Sequence, residues 1–181
     1  MLVLLDRDGV LNENRQDFVK SPSELIMLDG AAAAVRRLNE AGHRVVLCTN
    51  QSCVGRGIID LAMLERIHGK LRDELARAGA GLDHILVAPD SPAAATDRRK
   101  PGPGMLREAM QRYSSPAADT VMIGDSLHDL QAAAAVGCRR ILVRTGHGAA
   151  TQAAGIPAAV LPVAVHADLA AAVAALLGPG G

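Results

Sequence analysis

The chain has 181 residues, about one domain's worth, and is 49% apolar and 21% charged, a globular rather than a disordered composition. Its 19 Lys and Arg balance 19 Asp and Glu, so bulk charge does not drive it onto nucleic acid, and no apolar run of roughly eighteen residues offers a membrane span. With one Phe, one Tyr and no Trp, it has no aromatic platform for stacking bases, and its core must be aliphatic.

Met1 is followed by a short apolar run, Leu2–Leu5, that ends at Asp6 without a preceding basic stretch, so no signal peptide is expected. That run reads as a first strand. Residues 30–41, with alanines at 31–34, read as a helix closed by Gly42, because alanine favours helix and lets helices lie close to a sheet. Residues 45–48 form a second apolar run, ended by Thr49 and Asn50. Residues 60–78 read as a helix capped by Asp60 and stopped by Gly79; Leu61, Leu64, Ile67, Leu71 and Leu75 recur at three- and four-residue steps and make one apolar face. Residues 85–87 are a third run. The stretch 89–103 is the longest without a pattern, and loops of that length are usually functional. Residues 103–113 read as a helix with proline in its first turn. A fourth run, 121–123, ends in Gly124 and Asp125; a helix over 127–136 stops at Gly137; a fifth run is 141–143. Gly146, His147 and Gly148 read as a turn. In the tail, 158–161 is expected as a short edge strand, 166–177 as a closing helix and 178–181 as a frayed end.

Short apolar runs alternating with amphipathic segments imply βαβ units. The expected fold is therefore α/β: a doubly wound, Rossmann-like parallel sheet with helices on both faces, in a single domain over 1–181. An odd, scattered set of three cysteines makes no disulfide framework, which favours a reducing cytoplasm.

In an open parallel sheet, ligands sit beyond the carboxyl ends of the strands. The first strand ends in Asp6, Arg7, Asp8 and Gly9; the second in Thr49, Asn50, Gln51 and Ser52. The third leads into Arg98, Arg99 and Lys100; the fourth ends in Gly124, Asp125 and Ser126, with Asp129 a turn later. Carboxylates, amides, a hydroxyl and cations thus converge on one edge. Acidic groups gathered this way need a cation, and magnesium, a hard ion that keeps several waters, is satisfied by two or three carboxylates. Lysine and a hydroxyl or amide would then hold phosphoryl oxygens. Asp6 is placed to attack phosphorus and form an aspartyl phosphate, and Asp8 to protonate the leaving oxygen and then deprotonate water. Gly9 would free the backbone for the tight turn between them.

Four blocks carry a family resemblance: DRDGVLN at 6–12, TNQSCVGRG at 49–57, RKPGPGM at 99–105 and GDSLHDLQAA at 124–133. In that order and spacing the chain resembles the phosphatases of the haloacid dehalogenase superfamily. Within them it is most similar to the D-glycero-D-manno-heptose-1,7-bisphosphate 7-phosphatase family, with the histidinol-phosphate phosphatases as nearest relatives. The resemblance implies a small phosphatase without a large cap domain. Asp6 resembles the nucleophile and a magnesium ligand, and Asp8 the acid/base, whose carbonyl also reaches the metal. Asp125 resembles the third magnesium ligand. Thr49 and Lys100 resemble the groups that hold the transferring phosphoryl, with Asn50 beside them, and Arg99 the residue that recognises the substrate's far end. Asn12, Asn14, Arg15, Gln16, Asp17, Gln51 and Ser52 match pocket-lining stretches. The implied reaction is magnesium-dependent removal of the C7 phosphate of heptose 1,7-bisphosphate, in the making of nucleotide-activated heptose for surface polysaccharide. The implied partner is a small sugar phosphate, with no nucleic acid and no membrane, and the chain is expected as a monomer.

Two departures stand out. Many relatives carry a zinc loop of the form C-P-x-H…C-x-C-R-K-P before the lysine. Here Ala88, Asp90 (or Ser91), Thr96 and Arg98 occupy those places, and zinc, which wants thiolate or imidazole, is not expected. The loop must then be held by Pro89, Pro92, Pro101 and Pro103 and by charge pairs such as Asp97 with an arginine. After Asp125, where close relatives often have lysine, stands Ser126.

Other readings remain beside these. Histidinol phosphate is the rival substrate. A phospho-acceptor signalling domain shares the sheet, but its phosphorylated Asp follows a middle strand, and here no Asp ends the second. Asp129 reads equally as a magnesium-shell residue or a solvated helix residue, Arg98 as a solvated loop charge, and Arg56 as a substrate contact or a structural salt bridge. Cys53 reads as an inert thiol near the site. The six histidines lie in separate segments and make no metal spacing, though His128 falls near the site.

Overall fold

The computed structural model describes residues 1–178; of the expected frayed end, 179–181 lie outside the described residues. The strands are β1 (Leu2–Leu5), β2 (Arg44–Asn50), β3 (His84–Ala88), β4 (Thr120–Gly124), β5 (Arg139–Val143) and β6 (Ala164–His166). The helices are α1 (Ala31–Glu40), α2 (Ser52–Gly55), α3 (Leu61–Arg77), α4 (Gly104–Arg112), α5 (Leu127–Ala135), α6 (Gly148–Ala153) and α7 (Leu169–Leu177). The strands form one sheet in the order β3-β2-β1-β4-β5-β6, and every neighbouring pair is parallel.

The register is set by burial on both faces. Leu2–Leu5 has no polar residue because β1 is central, flanked by β2 and β4, with Leu5 opposite both Leu47 and Ile123. Its side chains alternate: Val3 and Leu5 join α1, α3 and α7 in one core, while Leu2 and Leu4 join α4 and α5 in the other. The apolar stripe of α3 is buried at Leu64, Ile67, Leu71 and Leu75, and His68 lies in the same stripe. Asp60 caps this helix, accepting from the Met63 N–H at 2.7 Å. The sheet order reverses between β1 and β4, and there Asp6 and Asp125 emerge side by side.

The tail differs from expectation. Residues 158–160 form a short 3-10 turn, and the edge strand is Ala164–His166, pairing with Ile141–Val143. Pro157 and Pro162 bracket the expected strand and supply no N–H for a ladder, so pairing begins only beyond them. His166 therefore belongs to β6, and the closing helix starts at Leu169, capped by Asp168 through the Ala171 N–H at 2.8 Å. The short helices α2 and α6 are absent from the sequence reading.

Leu47 is fully buried in the middle of β2. Leu47→Ala is expected to lower the unfolding free energy by about 2–5 kcal/mol with an unchanged m-value, measured by urea denaturation.

Candidate active site

Asp6 follows directly on β1, and its N–H still donates to Ile123 O at 3.1 Å, so the carboxylate leaves the sheet at its carboxyl edge. The chain then turns sharply at Gly9, with φ of +81°. A Cβ there would meet the Asp125 carboxylate at 2.2 Å, so only glycine lets the β1 and β4 ends approach. Thr145 Oγ1 donates to Gly9 O at 2.6 Å, and the His147 N–H donates to Asp125 Oδ2 at 2.7 Å. The loop after β5 thus clamps both acidic ends.

Lys100 reaches the same point from the loop after β3. It is only 1% exposed, and its Nζ lies 3.0 Å from Asp6 Oδ1 and 2.5 Å from Asp129 Oδ1. Its backbone is bracketed by the Asn50 side chain, which donates to Lys100 O at 2.9 Å and accepts from Lys100 N at 3.0 Å. Asp129 is fully buried, not solvated; its other oxygen accepts from Ser126 N at 3.0 Å and Ser126 Oγ at 2.6 Å, closing a capping box at the start of α5.

Oxygens of Asp6, Asp125 and Asp129 lie within 4.8 Å of one another, the one such cluster of possible ligands among the described residues. Burial pushes both the Asp6 and the Asp125 carboxyls up to about 7; Lys100 opposes this at Asp6, and the His147 N–H opposes it at Asp125. Burial works against the Lys100 charge too, but Asp129 and Asp6 outweigh it and raise its pKa. Three carboxyl groups face one ammonium, an oxygen-only donor set with more acidic than basic groups. That donor set fits a hard divalent cation.

Asp8 is held differently. Burial disfavours its charge, but Arg7 and hydrogen bonds from Asn12 and Gln51 more than offset that and hold the carboxyl below its usual range. Arg7 Nη2 lies 2.9 Å from Asp8 Oδ1 and 3.0 Å from Oδ2; Asn12 Nδ2 donates at 2.9 Å and Gln51 Nε2 at 2.8 Å. Behind Arg7, its Nη1 lies 3.4 Å from His68 Nε2. Burial first, then the Arg7 charge, lowers the His68 pKa to about 4, so the ring is neutral and accepts this bond. Sequence reading missed Arg7 and His68 as parts of the site. The available signals were an arginine between two aspartates at a strand end and a histidine four residues after Leu64 on an apolar stripe.

A cavity of about 460 Å³ opens above these groups. Asp6, Asp8, Lys100 and Asp125 border it, as do Asn14, Arg15, Gln16, Asn50, Gln51, Ser52 and Arg99. Phe18, Ser126, His128 and His147 also border it; of these, Ser126 was placed at this edge by sequence and His128 near it, while Phe18 and His147 were not anticipated. Three expected site residues do not border this cavity. Asn12 is buried behind Asp8; Asp17 is exposed and pairs with Arg15 and Lys20; Thr49 is buried beneath Gln51, whose Nε2 donates to its hydroxyl at 2.9 Å. Arg98 is no free loop charge: it pairs with Glu108 and donates to Val87 O at 2.9 Å. Arg56 has no ion pair among the described residues and sits over the Phe18 ring. Cys53 is buried, and burial raises its thiol pKa, so it is a poor nucleophile.

The sequence profile described as HAD-hydrolase-like matches residues 97–172. The D-glycero-beta-D-manno-heptose-1,7-bisphosphate 7-phosphatase of Bordetella bronchiseptica is 47% identical over 154 residues, covering 85% of this chain and 86% of that protein. The protein of the same name from Pseudomonas aeruginosa is 41% identical over 176 residues, 97% of each chain. The crystal structure of the B. bronchiseptica D,D-heptose 1,7-bisphosphate phosphatase, complexed with magnesium and phosphate, superposes with a TM-score of 0.92 at 46% identity, covering 97% of each chain.

His68 gives the site a pH signature. Its folded pKa of about 4 lies below the ordinary 6.5, so the unfolded chain binds the proton more tightly. Stability is complete above pH 6.5 and falls as the pH drops towards 4, by on the order of 3 kcal/mol from this group. His68→Gln keeps an acceptor for Arg7 but cannot titrate, and denaturant melts across this range are expected to show a flatter loss.

Proposed function

The chain belongs to the haloacid dehalogenase-like hydrolases, and on that premise we propose that it removes the C7 phosphate of D-glycero-D-manno-heptose 1,7-bisphosphate with the help of magnesium. It is a phosphoric monoester hydrolase. The observation that carries the reading is the meeting of Asp6, Asp125 and Asp129 within 4.8 Å, with Lys100 Nζ 3.0 Å from Asp6.

Asp6 and Asp125, with the backbone carbonyl of Asp8, would hold the magnesium. When bound, the ion neutralises the carboxylates and polarises a phosphoryl oxygen. Asp6, facing the cavity, is the nucleophile. It displaces the sugar oxygen from phosphorus, and the aspartyl phosphate that results splits one hard displacement into two easier ones. Lys100 lies beside the attacking carboxylate and stabilises charge on the transferring group; Asp129 and Asn50 keep it there. Asp8 donates a proton to the leaving oxygen and later takes one from water. The Arg7, Asn12 and Gln51 bonds fix its position and favour the ionised form that activates water, so the acid step draws on the protonated minority. Thr49, buried under Gln51, supports that amide. Arg99, its Nη1 donating to Asp90 O at 3.1 Å, borders the outer cavity with Arg15 and fits the second phosphate.

Two results test this. Wild-type protein with magnesium is expected to release one phosphate from heptose 1,7-bisphosphate and leave the C1 phosphate in place, followed by phosphorus NMR. Asp6→Asn should leave no detectable turnover. Faster release from histidinol phosphate, or normal turnover by the variant, would refute the assignment. Metal binding is expected to compete with protons on two carboxyls that titrate near 7, so magnesium should raise the melting temperature more at pH 8 than at pH 5.5. Equal shifts at the two pH values would place the ion elsewhere.

A further inference from the structure

Phe18 is the chain's sole phenylalanine, and it lies in the cavity wall with φ of +65°. This left-handed region is strained for a bulky side chain and persists only where the surroundings over-determine it, as they do at active sites, ligand clamps and switch regions. The surroundings here do so. The Phe18 N–H donates to Arg15 O at 3.3 Å, its carbonyl accepts from Arg15 Nε at 3.2 Å, and Val19 beside it is 1% exposed. The guanidinium of Arg56, just after α2, stands 5.8 Å from the ring centroid. Arg56 itself is outside the cavity wall and has no ion pair among the described residues. It is exposed, its charge is felt by Arg99 in the cavity wall, and its one ring contact links Phe18 to the turn that follows β2. The groups that perform the chemistry, Asp6, Asp8, Lys100 and Asp125, are all charged, whereas Phe18 offers an apolar face to the same cavity.

A sugar phosphate carries both kinds of surface: anionic ends, and between them a skeleton with an apolar C–H face. We propose that Phe18 is a specificity-determining residue whose ring receives the C–H face of the sugar between the reacting phosphate and the far end of the substrate, with Arg56 as the positioning residue that holds the ring. This rests on the sugar-phosphatase reading of the cavity. It explains why strain is kept at this position, where glycine would sit without cost and asparagine at a lower one.

The test compares Phe18→Asn, which removes the ring but tolerates the left-handed backbone, with Phe18→Tyr, which keeps the ring. Heptose 1,7-bisphosphate and acetyl phosphate, which has no sugar skeleton, are the two substrates. Phe18→Asn is expected to raise KM for the bisphosphate about tenfold more than KM for acetyl phosphate, with the larger part of the loss in KM and not kcat. Phe18→Tyr should restore the wild-type ratio, and Arg56→Ala should shift it in the same direction as Phe18→Asn. Equal losses on both esters would mean that the ring only props its loop, and an unchanged ratio would mean that the sugar never touches it; either result overturns the proposal. If wild-type protein does not hydrolyse the bisphosphate, the substrate reading fails first, and the same ratio is measured on the sugar phosphate it hydrolyses fastest.

Discussion

The structure depends on burying an ammonium group beside two carboxylates at the carboxyl edge of the sheet. Lys100 is taken out of water, a loss that its own attraction to Asp6 and Asp129 must repay. Repayment needs close geometry, and geometry needs supports. Asn50 fixes the Lys100 backbone from β2, and Asp129 is fixed by the capping box at the start of α5. The absence of a side chain at Gly124 is part of the same fit, because a Cβ there would meet the Asp129 carboxyl at 2.3 Å. Three separate elements therefore converge on one ion pair. The excess of carboxyl oxygens over ammonium groups at this edge is what suits it to a divalent cation.

The loop that delivers Lys100 is tied down by its own side chains. Asp90 accepts from the Thr96 N–H at 2.9 Å and from its hydroxyl. Asp97 pairs with Arg107 at 3.0 Å, and its carbonyl accepts from the Gly104 N–H at 2.9 Å. Arg98 joins the loop to β3 and to α4 at once, through Val87 O and Glu108. These bonds tie the loop to both elements it connects, so the lysine that follows has little freedom. Exposed ion pairs contribute little individually. Here they act together with main-chain bonds that close the same loop.

Much of the fold was legible because the central strands are apolar throughout and their helices are periodic. Leu2–Leu5, the α3 stripe and the helix stops at Gly42, Gly79 and Gly137 each follow from local chemistry. Where the signal was tertiary, sequence reading failed. The edge strand at Ala164–His166 is three residues long and is defined by pairing with β5, and α6 exists because its N-terminal loop closes on Asp125. In the site, Asp6, Asp8, Lys100 and Asp125 could be gathered from strand ends alone. That Asn12, Asp17 and Thr49 stand off the cavity wall was not legible, because a position in a motif does not say which way a side chain points.

By itself the sequence determined the alternation of strands and helices, the acidic and basic ends of four strands, and hence one edge at which phosphate chemistry is possible. Periodicity and strand-end placement are local properties, carried by neighbouring residues. Only the tertiary structure decided how those charges are shared: Arg7 with Asp8 and His68, Asp129 with Lys100, and Arg56 with Phe18. Apart from the adjacent Arg7 and Asp8, these pairings join residues 29 to 61 positions apart. Distance in the chain carries no record of such contacts, and the energy of each depends on burial and angle, which exist only once the sheet has closed.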